Sequence, residues 1–392
     1  MNLVIVEKPL KFNLRFYAIS HKKVNLCKCI KKSKNMSTKY NFGAGPCILP
    51  QEVFKEASNA VLNFNGLSIL EVSHRSPEFV AVMDEAIALV KEVLNVPAGY
   101  SVMFLQGGAS LGFLISALNM SGKNKKAAYI NTGTWSSKAI KEAKNAGLEV
   151  VEIGSSEDKN FNYIPKDLTI PNDCDFLHFT SNNTIFGTQF KAFPKGDIPL
   201  VCDMSSDIFS QEINVADFDI IYAGAQKNLG PAGATLFIVK ESILGNSTAE
   251  WLPTYLNLKT HHDKESMFNT PPVFSIYVSM LNLRHLKQNG GVPAIEKINI
   301  EKANILYTEI DVNPLFEGAT AVEDRSNMNV TFKLKNESLT DAFNKAWNEA
   351  GIVGLKGHRS VGGYRASIYN ALPLSSVQVL VNLMRDFAKA NS

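Results

Sequence analysis

A lysine on a tight turn between two buried strands is the residue of this chain best placed for chemistry. Ile220, Ile221 and Tyr222 form a β-branched and aromatic run that leads through Ala223, Gly224, Ala225 and Gln226 to Lys227. Asn228, Gly230, Pro231 and Gly233 then turn the chain into a second apolar run, Ala234 to Val239. An amine held there can add to a carbonyl or carry a proton. The small residues on either side read as clearance for a flat ligand. Taken alone, Lys227 reads as a solvated hairpin lysine, because ionised lysine is seldom buried unpaired.

Asp203 ends the apolar run Leu200, Val201, Cys202. A carboxylate there is costly unless a cation or hydrogen bonds offset its burial. Trp135 opens a helix rich in Lys and Ala, just after the strand Ala127 to Ile130 and the turn Asn131 to Thr134. That sets either a packing ring or a ligand-stacking ring at the carboxyl end of a strand, the edge where α/β sheets bind ligands. Gly107, Gly108, Ala109 and Ser110 follow the strand Val102 to Leu105 and open a helix running to about Asn119. Such a turn exposes backbone N–H groups and a positive helix end to an anion. It is neither a dinucleotide fingerprint nor a Walker loop, and a plain turn has the same look. Ser181, Asn182, Asn183 and Thr184 break the strand that begins near Asp175, as ligand contacts or as a turn. Arg365 stands mid-strand between Tyr364 and Ala366, where a cleft-facing guanidinium binds a carboxylate bidentately and a surface one pairs with an acid. A lysine, an acid, a broad ring and an anion loop on neighbouring strand ends are what a pyridoxal phosphate site requires.

The elements that must position these residues alternate helices with short strands, which argues an α/β protein with a mostly parallel sheet. Helical periodicity covers Gln51 to Phe64, Phe79 to Leu94, Pro271 to Leu286, Ile295 to Ile310 and Ser338 to Ala350. Strands are expected within 68–79, ending at the His74-Arg75 pair, and over Val330 to Leu334, Gly351 to Leu355 and Tyr364 to Ile368. The expected division is a large domain over 48–288 and a smaller α+β domain from 36–47 and 289–392.

Composition is that of an ordinary soluble globular protein, 392 residues with 45% hydrophobic and 20% charged. A net charge of +3 gives no argument for nucleic acid, and no apolar run reaches the length of a membrane span. Five scattered cysteines make no disulfide framework and no metal spacing, so a cytoplasmic protein without a metal site is expected. Residues 1–35 differ from the rest, with many lysines and the single acid Glu7. They read as translated sequence upstream of Met36 or as a targeting leader.

The segments NFGAGP, LEVSHRSPEF, FLQGGAS, NTGTWS, CDMSSDI, AGAQKNLGPAG, NTPPVFSIY and GHRSVGGYRASIYNA occur in this order from about residue 40 to the C-terminus. In them the chain resembles the phosphoserine aminotransferase family, class-V enzymes of the fold-type I pyridoxal phosphate group. The resemblance implies that Lys227 binds pyridoxal 5'-phosphate as a Schiff base, that Asp203 meets its pyridine nitrogen and that Trp135 stacks on its ring. It implies that Thr184 bonds the 3-oxygen and that Gln226, Ala109 and Ser110 hold the phosphate. Asn269 and Thr270 would reach that phosphate in the neighbouring subunit of a homodimer. Arg365 would take the α-carboxylate, and His74, Arg75, His358 and Arg359 the distal anion.

The implied reaction passes an amino group from L-glutamate to 3-phosphohydroxypyruvate, a step of serine biosynthesis. 4-Phosphohydroxythreonine, in pyridoxine biosynthesis, would suit the same site. Many family members carry Arg where this chain has Ser110, and Gln where it has Gly112. That leaves the substrate anion to the His-Arg pairs. A cysteine desulfurase would share the Lys-Asp core but needs a catalytic cysteine on a mobile loop, and no cysteine follows Cys202. A cofactor-binding regulatory protein would show a broken site, whereas every catalytic position is filled.

Overall fold

The computed structural model describes residues 39–391, and within it Lys39 to the C-terminal helix forms one compact unit. The basic stretch 1–35, with its two readings, lies outside the described residues. In chain order the strands are β1 (Tyr40–Asn41), β2 (Tyr100–Leu105), β3 (Lys126–Asn131), β4 (Glu149–Ser155), β5 (Phe176–Thr180) and β6 (Leu200–Asp203). β7 (Ile220–Gly224), β8 (Thr235–Lys240), β9 (Phe316–Gly318), β10 (Asn329–Leu334), β11 (Ile352–Val353) and β12 (Tyr364–Ser367) follow. The α-helices are α1 (Gln51–Leu62), α2 (Pro77–Val93), α3 (Gly108–Met120), α4 (Thr134–Asn145), α5 (Leu258–Asp263), α6 (Val273–Gln288), α7 (Gly291–Val312), α8 (Thr340–Glu349) and α9 (Leu374–Asn391).

Seven strands form the main sheet in the order β2-β8-β7-β6-β5-β3-β4. β7, β6, β5, β3 and β4 run parallel, and β8 is antiparallel to both β7 and β2. Every residue of β5, β6 and β7 is buried. That is the pattern of central strands covered on both faces, and it explains why they read as continuous apolar runs. Only β4, at the edge, leaves much of its length in contact with water. The fold is the α/β arrangement expected, with a mixed, mostly parallel sheet.

The 68–79 segment departs from expectation: it contains no strand and runs as turns into α2. Short polar side chains take its backbone. Ser68 Oγ accepts from Leu70 N at 3.2 Å, Ser73 Oγ from Arg75 N at 3.3 Å, and Glu71 Oε2 from Ser68 N at 2.9 Å. Such local bonds compete with a sheet ladder. Ser76 then caps α2 by accepting from Phe79 N, with Pro77 at the first helical position.

Toward the C-terminus, β12, β10 and β9 form a small antiparallel sheet, and β1 pairs parallel with β11. Phe42, Leu306, Phe316, Phe332, Phe343, Ile352 and Leu380 belong to one hydrophobic cluster there, separate from the two that flank the main sheet. Residues before α1 therefore pack with the last third of the chain. Among the described residues no helix is long and apolar enough to cross a membrane.

Candidate active site

Five strand ends meet at one edge of the main sheet, and each delivers a residue singled out in the sequence. β7 ends at Gly224 and the following turn carries Lys227, which is 9% exposed. Its ammonium donates to Thr184 Oγ1 at 2.7 Å and lies 5.8 Å from the centroid of the Trp135 ring. Burial lowers the Lys227 pKa from 10.5 to about 8; the Arg365 charge adds to the shift, and the Asp203 and Asp207 charges oppose it. The amine is thus a buried base, not a solvated hairpin lysine.

Asp203, the last residue of β6, is 3% exposed. Its Oδ1 accepts from Ser205 N at 2.9 Å and from Ser205 Oγ at 2.5 Å, and Ser205 Oγ in turn accepts from Gly224 N at 3.0 Å. Its other oxygen, Oδ2, accepts no hydrogen bond from the described residues. Burial raises the Asp203 pKa, with Ser205 and the Lys227 charge acting against it. Asp203 and Lys227 influence each other electrostatically without forming an ion pair, so the acid's cationic partner is not the lysine itself. Beside it lies Asp207, which sequence reasoning missed. Ser181 Oγ donates to it at 2.5 Å and Gln189 Nε2 at 3.2 Å, and burial lifts its pKa to about 6.

Trp135 lies in the first turn of α4, and its buried Nε1 has no hydrogen-bond partner among the described residues. Lys138, one helical turn on, sits 4.7 Å over the same ring. The i, i+3 spacing could have flagged Lys138. Gly107, with a φ of 99°, starts α3, and no side chain caps that helix, so the backbone around Ala109 and exposed Ser110 is open to an anion. Gln226 is half-buried, and its carbonyl accepts from Cys47 N at 3.1 Å. The Cys47 thiol also donates to the Lys227 carbonyl, which ties the N-terminal loop to the lysine turn.

Arg365 reaches the site from β12, where it is paired with Thr331 of β10. One of its terminal nitrogens donates to the Thr184 carbonyl at 3.3 Å, and its buried Nε has no partner among the described residues. No carboxylate pairs with it among the described residues. Burial first, and then the charges of Arg365, Arg359 and Lys138, lower the His358 pKa, and its Nδ1 bonds Ser360 Oγ at 2.7 Å. These cations therefore face one region.

His74 and Arg75 do not join them. His74 is buried with an unpartnered Nε2, Arg75 is exposed, and neither contacts the Lys227 cluster of its own chain. Asn269 and Thr270 lie beside Gln106: Gln106 Nε2 donates to the Thr270 carbonyl at 2.7 Å, and Tyr255, which bonds Gln106 at 3.3 Å, also engages Asn269.

The glycines of the lysine turn do not serve the purpose expected of them. A Cβ on Gly230 would lie 2.3 Å from Ser279 Oγ, and one on Gly233, at φ +125°, 2.6 Å from Ser275 Oγ. Both serines lie on α6, so these glycines admit a buried helix against the turn and do not clear space for a ligand. Gly112 has a similar reason: its Cβ would meet the Tyr222 ring at 2.8 Å, where α3 packs on β7.

This set fits pyridoxal phosphate on the residues themselves. A buried amine of lowered pKa, an acid with one oxygen unbonded, a ring with an orphaned indole N–H and an uncapped helix start together match its carbonyl, its ring nitrogen, its face and its phosphate. No group of side chains suited to a metal ion occurs among the described residues.

Comparison with known proteins agrees in two steps. Residues 39–380 match the model of the class-V aminotransferases, and the chain belongs to that pyridoxal phosphate-dependent family. It is 61% identical to the phosphoserine aminotransferase of Flavobacterium psychrophilum over 351 residues, covering 89% of this chain and 98% of that one. It is 56% identical to that of Parabacteroides distasonis over 355 residues, covering 90% and 99%. Within the class, then, it belongs to the phosphoserine aminotransferases. The structure of the phosphoserine aminotransferase from Bacillus circulans subsp. alkalophilus superposes with a TM-score of 0.87 at 43% identity, covering 91% of this chain and 99% of that one. The PLP-bound enzyme of Trichomonas vaginalis gives 0.85 at 33% identity, covering 89% and 100%.

Proposed function

We propose that the protein transfers the amino group of L-glutamate to 3-phosphohydroxypyruvate, forming O-phospho-L-serine and 2-oxoglutarate. The observation that carries this reading is the set Arg365, Arg359 and Lys138, whose charges all reach His358 and the first of which also reaches Lys227, none of the three cations ion-paired to a carboxylate among the described residues. Buried or clustered cations without counterions are costly, and a doubly anionic substrate supplies the missing charge.

Bound pyridoxal phosphate supplies a carbonyl for the migrating nitrogen and an electron sink for the α-carbanion. Lys227 would anchor it, Asp203 would hold its ring nitrogen protonated through the free Oδ2, and Trp135 would cover its face. Thr184 would meet the 3-oxygen, and Gln226, Ala109 and Ser110 the phosphate. Arg365 orients the substrate by its α-carboxylate, which aims the Cα proton at Lys227. With a pKa near 8 the Lys227 amine accepts that proton and returns it within a turnover. Arg359 by its charge and His358 by a hydrogen bond bind a distal carboxylate or phosphate with little demand on shape, which suits two substrates that alternate in one site.

The assembly proposed is a homodimer in which His74, Arg75, Asn269 and Thr270 serve the neighbouring subunit's site, in keeping with their separation from Lys227 in their own chain. A large domain over 48–288 and a small one from 36–47 and 289–392 accord with the separate cluster that joins Phe42 to Phe387. A cytoplasmic setting accords with the free Cys47, Cys174 and Cys202. The test is a single-turnover sequence: glutamate loads the nitrogen, then 3-phosphohydroxypyruvate or unphosphorylated hydroxypyruvate removes it. The phosphorylated acid should react at least about 100-fold faster, as loss of a charge-assisted anion contact at a reacting site implies. Equal rates would refute the substrate assignment.

A further inference from the structure

α7 presents one stripe to the protein interior, and a lysine lies in its middle. Asn299, Lys302, Ala303, Leu306 and Ile310 are buried at helical spacing, and Lys302 is 0% exposed. Burial disfavours its ammonium. No ion pair or neighbouring charge offsets that cost among the described residues. Three backbone carbonyls do: the Lys302 ammonium donates to Ile368 O at 2.9 Å, Tyr369 O at 2.8 Å and Leu372 O at 3.1 Å. An ammonium has three donors, and all three are used on one five-residue segment.

That segment joins the two halves of the active site. Upstream it continues directly from β12, which carries Arg365. In its middle, Asn370 N donates to Asn228 Oδ1 at 3.0 Å, and Asn228 follows Lys227 in the chain. Asn370 is itself held, because its Nδ2 donates to Phe209 O at 2.8 Å and its Oδ1 accepts from Asn299 at 2.9 Å. Tyr369 OH donates to Ala44 O at 2.9 Å. An unsupported turn between a strand and α9 would have its carbonyls facing the core without partners, and it would shift to find them.

We propose that Lys302 is a positioning residue for the transamination site: by fixing residues 368–372 it sets the Arg365 guanidinium in register with the Lys227 turn. Reacting groups tolerate little displacement, since misplacement by about 1 Å can cost as much as 100-fold in rate. Lys302 touches neither substrate nor cofactor and acts only through this segment. The inference rests on the reading of Arg365 as the carboxylate anchor.

The test uses the holoenzyme. Lys302→Met keeps an unbranched side chain, one atom shorter, and removes the three donors. Its expected effect is a KM for glutamate raised roughly tenfold, with cofactor content unchanged. In a double-mutant cycle with Arg365→Lys, the effect of Lys302→Met on glutamate KM should largely vanish, because the two act through one contact. A lowered melting temperature with unchanged KM, or additive effects in the cycle, would overturn the proposal and leave Lys302 a purely structural residue. If Lys302→Met does not fold, Asn370→Ala tests the same segment with Lys302 intact. A loss of about tenfold in kcat/KM supports the proposal, and none overturns it. Arg365→Lys without effect on glutamate KM would instead refute the reading of Arg365.

Discussion

Lys227 and Arg365 are tied to the same residue, Thr184. The lysine donates to its hydroxyl at 2.7 Å and the arginine to its carbonyl at 3.3 Å. Thr184 lies just past the end of β5, Lys227 in the turn after β7, and Arg365 on β12 of the small C-terminal sheet. One threonine therefore gauges the distance between the amine proposed to move the proton and the guanidinium proposed to aim the substrate. Replacing it with valine should lower kcat/KM on the order of tenfold through loss of one buried hydrogen bond to a charged group. Steady-state kinetics with glutamate would show this, and unchanged kinetics would contradict the role.

Lys227→Met should abolish transamination, with a loss of more than about 1,000-fold, and also remove the cofactor's lysine-linked absorbance. The cofactor-free variant should nevertheless be more stable than the cofactor-free wild type. The folded pKa, about 8, lies below the unfolded 10.5, so the unfolded chain binds the proton more tightly. The penalty is complete below pH 8 and disappears as pH rises towards 10.5. It amounts to roughly 3 kcal/mol. Urea titrations at pH 7 and pH 10 should show the stability gain of the variant shrinking at the higher pH.

Arg365→Lys keeps the charge but loses the planar fork that meets a carboxylate with two parallel bonds. The expected result is a rise of roughly 30- to 200-fold in glutamate KM, which corresponds to about 2–3 kcal/mol. Cofactor binding, measured by absorbance, should be unaffected. A weaker cofactor with normal KM would move Arg365 out of the substrate site.

Ser205→Ala removes one bond to Asp203 and the acceptor of Gly224 N. Both groups are buried, so the pKa of Asp203 should rise further and stability should fall by about 1–3 kcal/mol. Cofactor affinity should fall with it, because a neutral Asp203 cannot hold the ring nitrogen protonated. Equilibrium dialysis of the cofactor across pH would follow the change, with weakening most evident at low pH.

Gly230→Ala places a Cβ 2.3 Å from Ser279 Oγ and should cost about 1–3 kcal/mol in thermal unfolding. Adding Ser279→Gly should recover part of it. If Gly230 instead cleared space for the ligand, the single variant would weaken cofactor binding and leave the melting temperature alone.

The candidate site was legible in the sequence wherever a polar residue ended an apolar run. Asp203, Trp135 and Lys227 stand at strand ends, and alternation of burial along β5, β6 and β7 is suppressed because both faces are covered. The 68–79 segment forms turns and not the expected strand because short Ser and Glu side chains near the backbone outweigh a weak β preference, a competition that composition does not reveal. The turn glycines were assigned to a ligand because a sequence cannot show that Ser275 and Ser279 of α6 press against them.

Local residue order by itself determined the secondary elements around the site, the candidate base and acid, and the family to which the chain belongs. Only the tertiary structure decided that Lys227 is buried at a pKa near 8, that Arg365 meets no carboxylate among the described residues, and that Lys138, Ser205, Asp207 and Lys302 belong to the account. The physical reason is that desolvation and pairing depend on which segments meet. Residues 184, 227 and 365 are brought within hydrogen-bonding distance by sheet order and by the packing of the C-terminal strand, and neither is written in local periodicity.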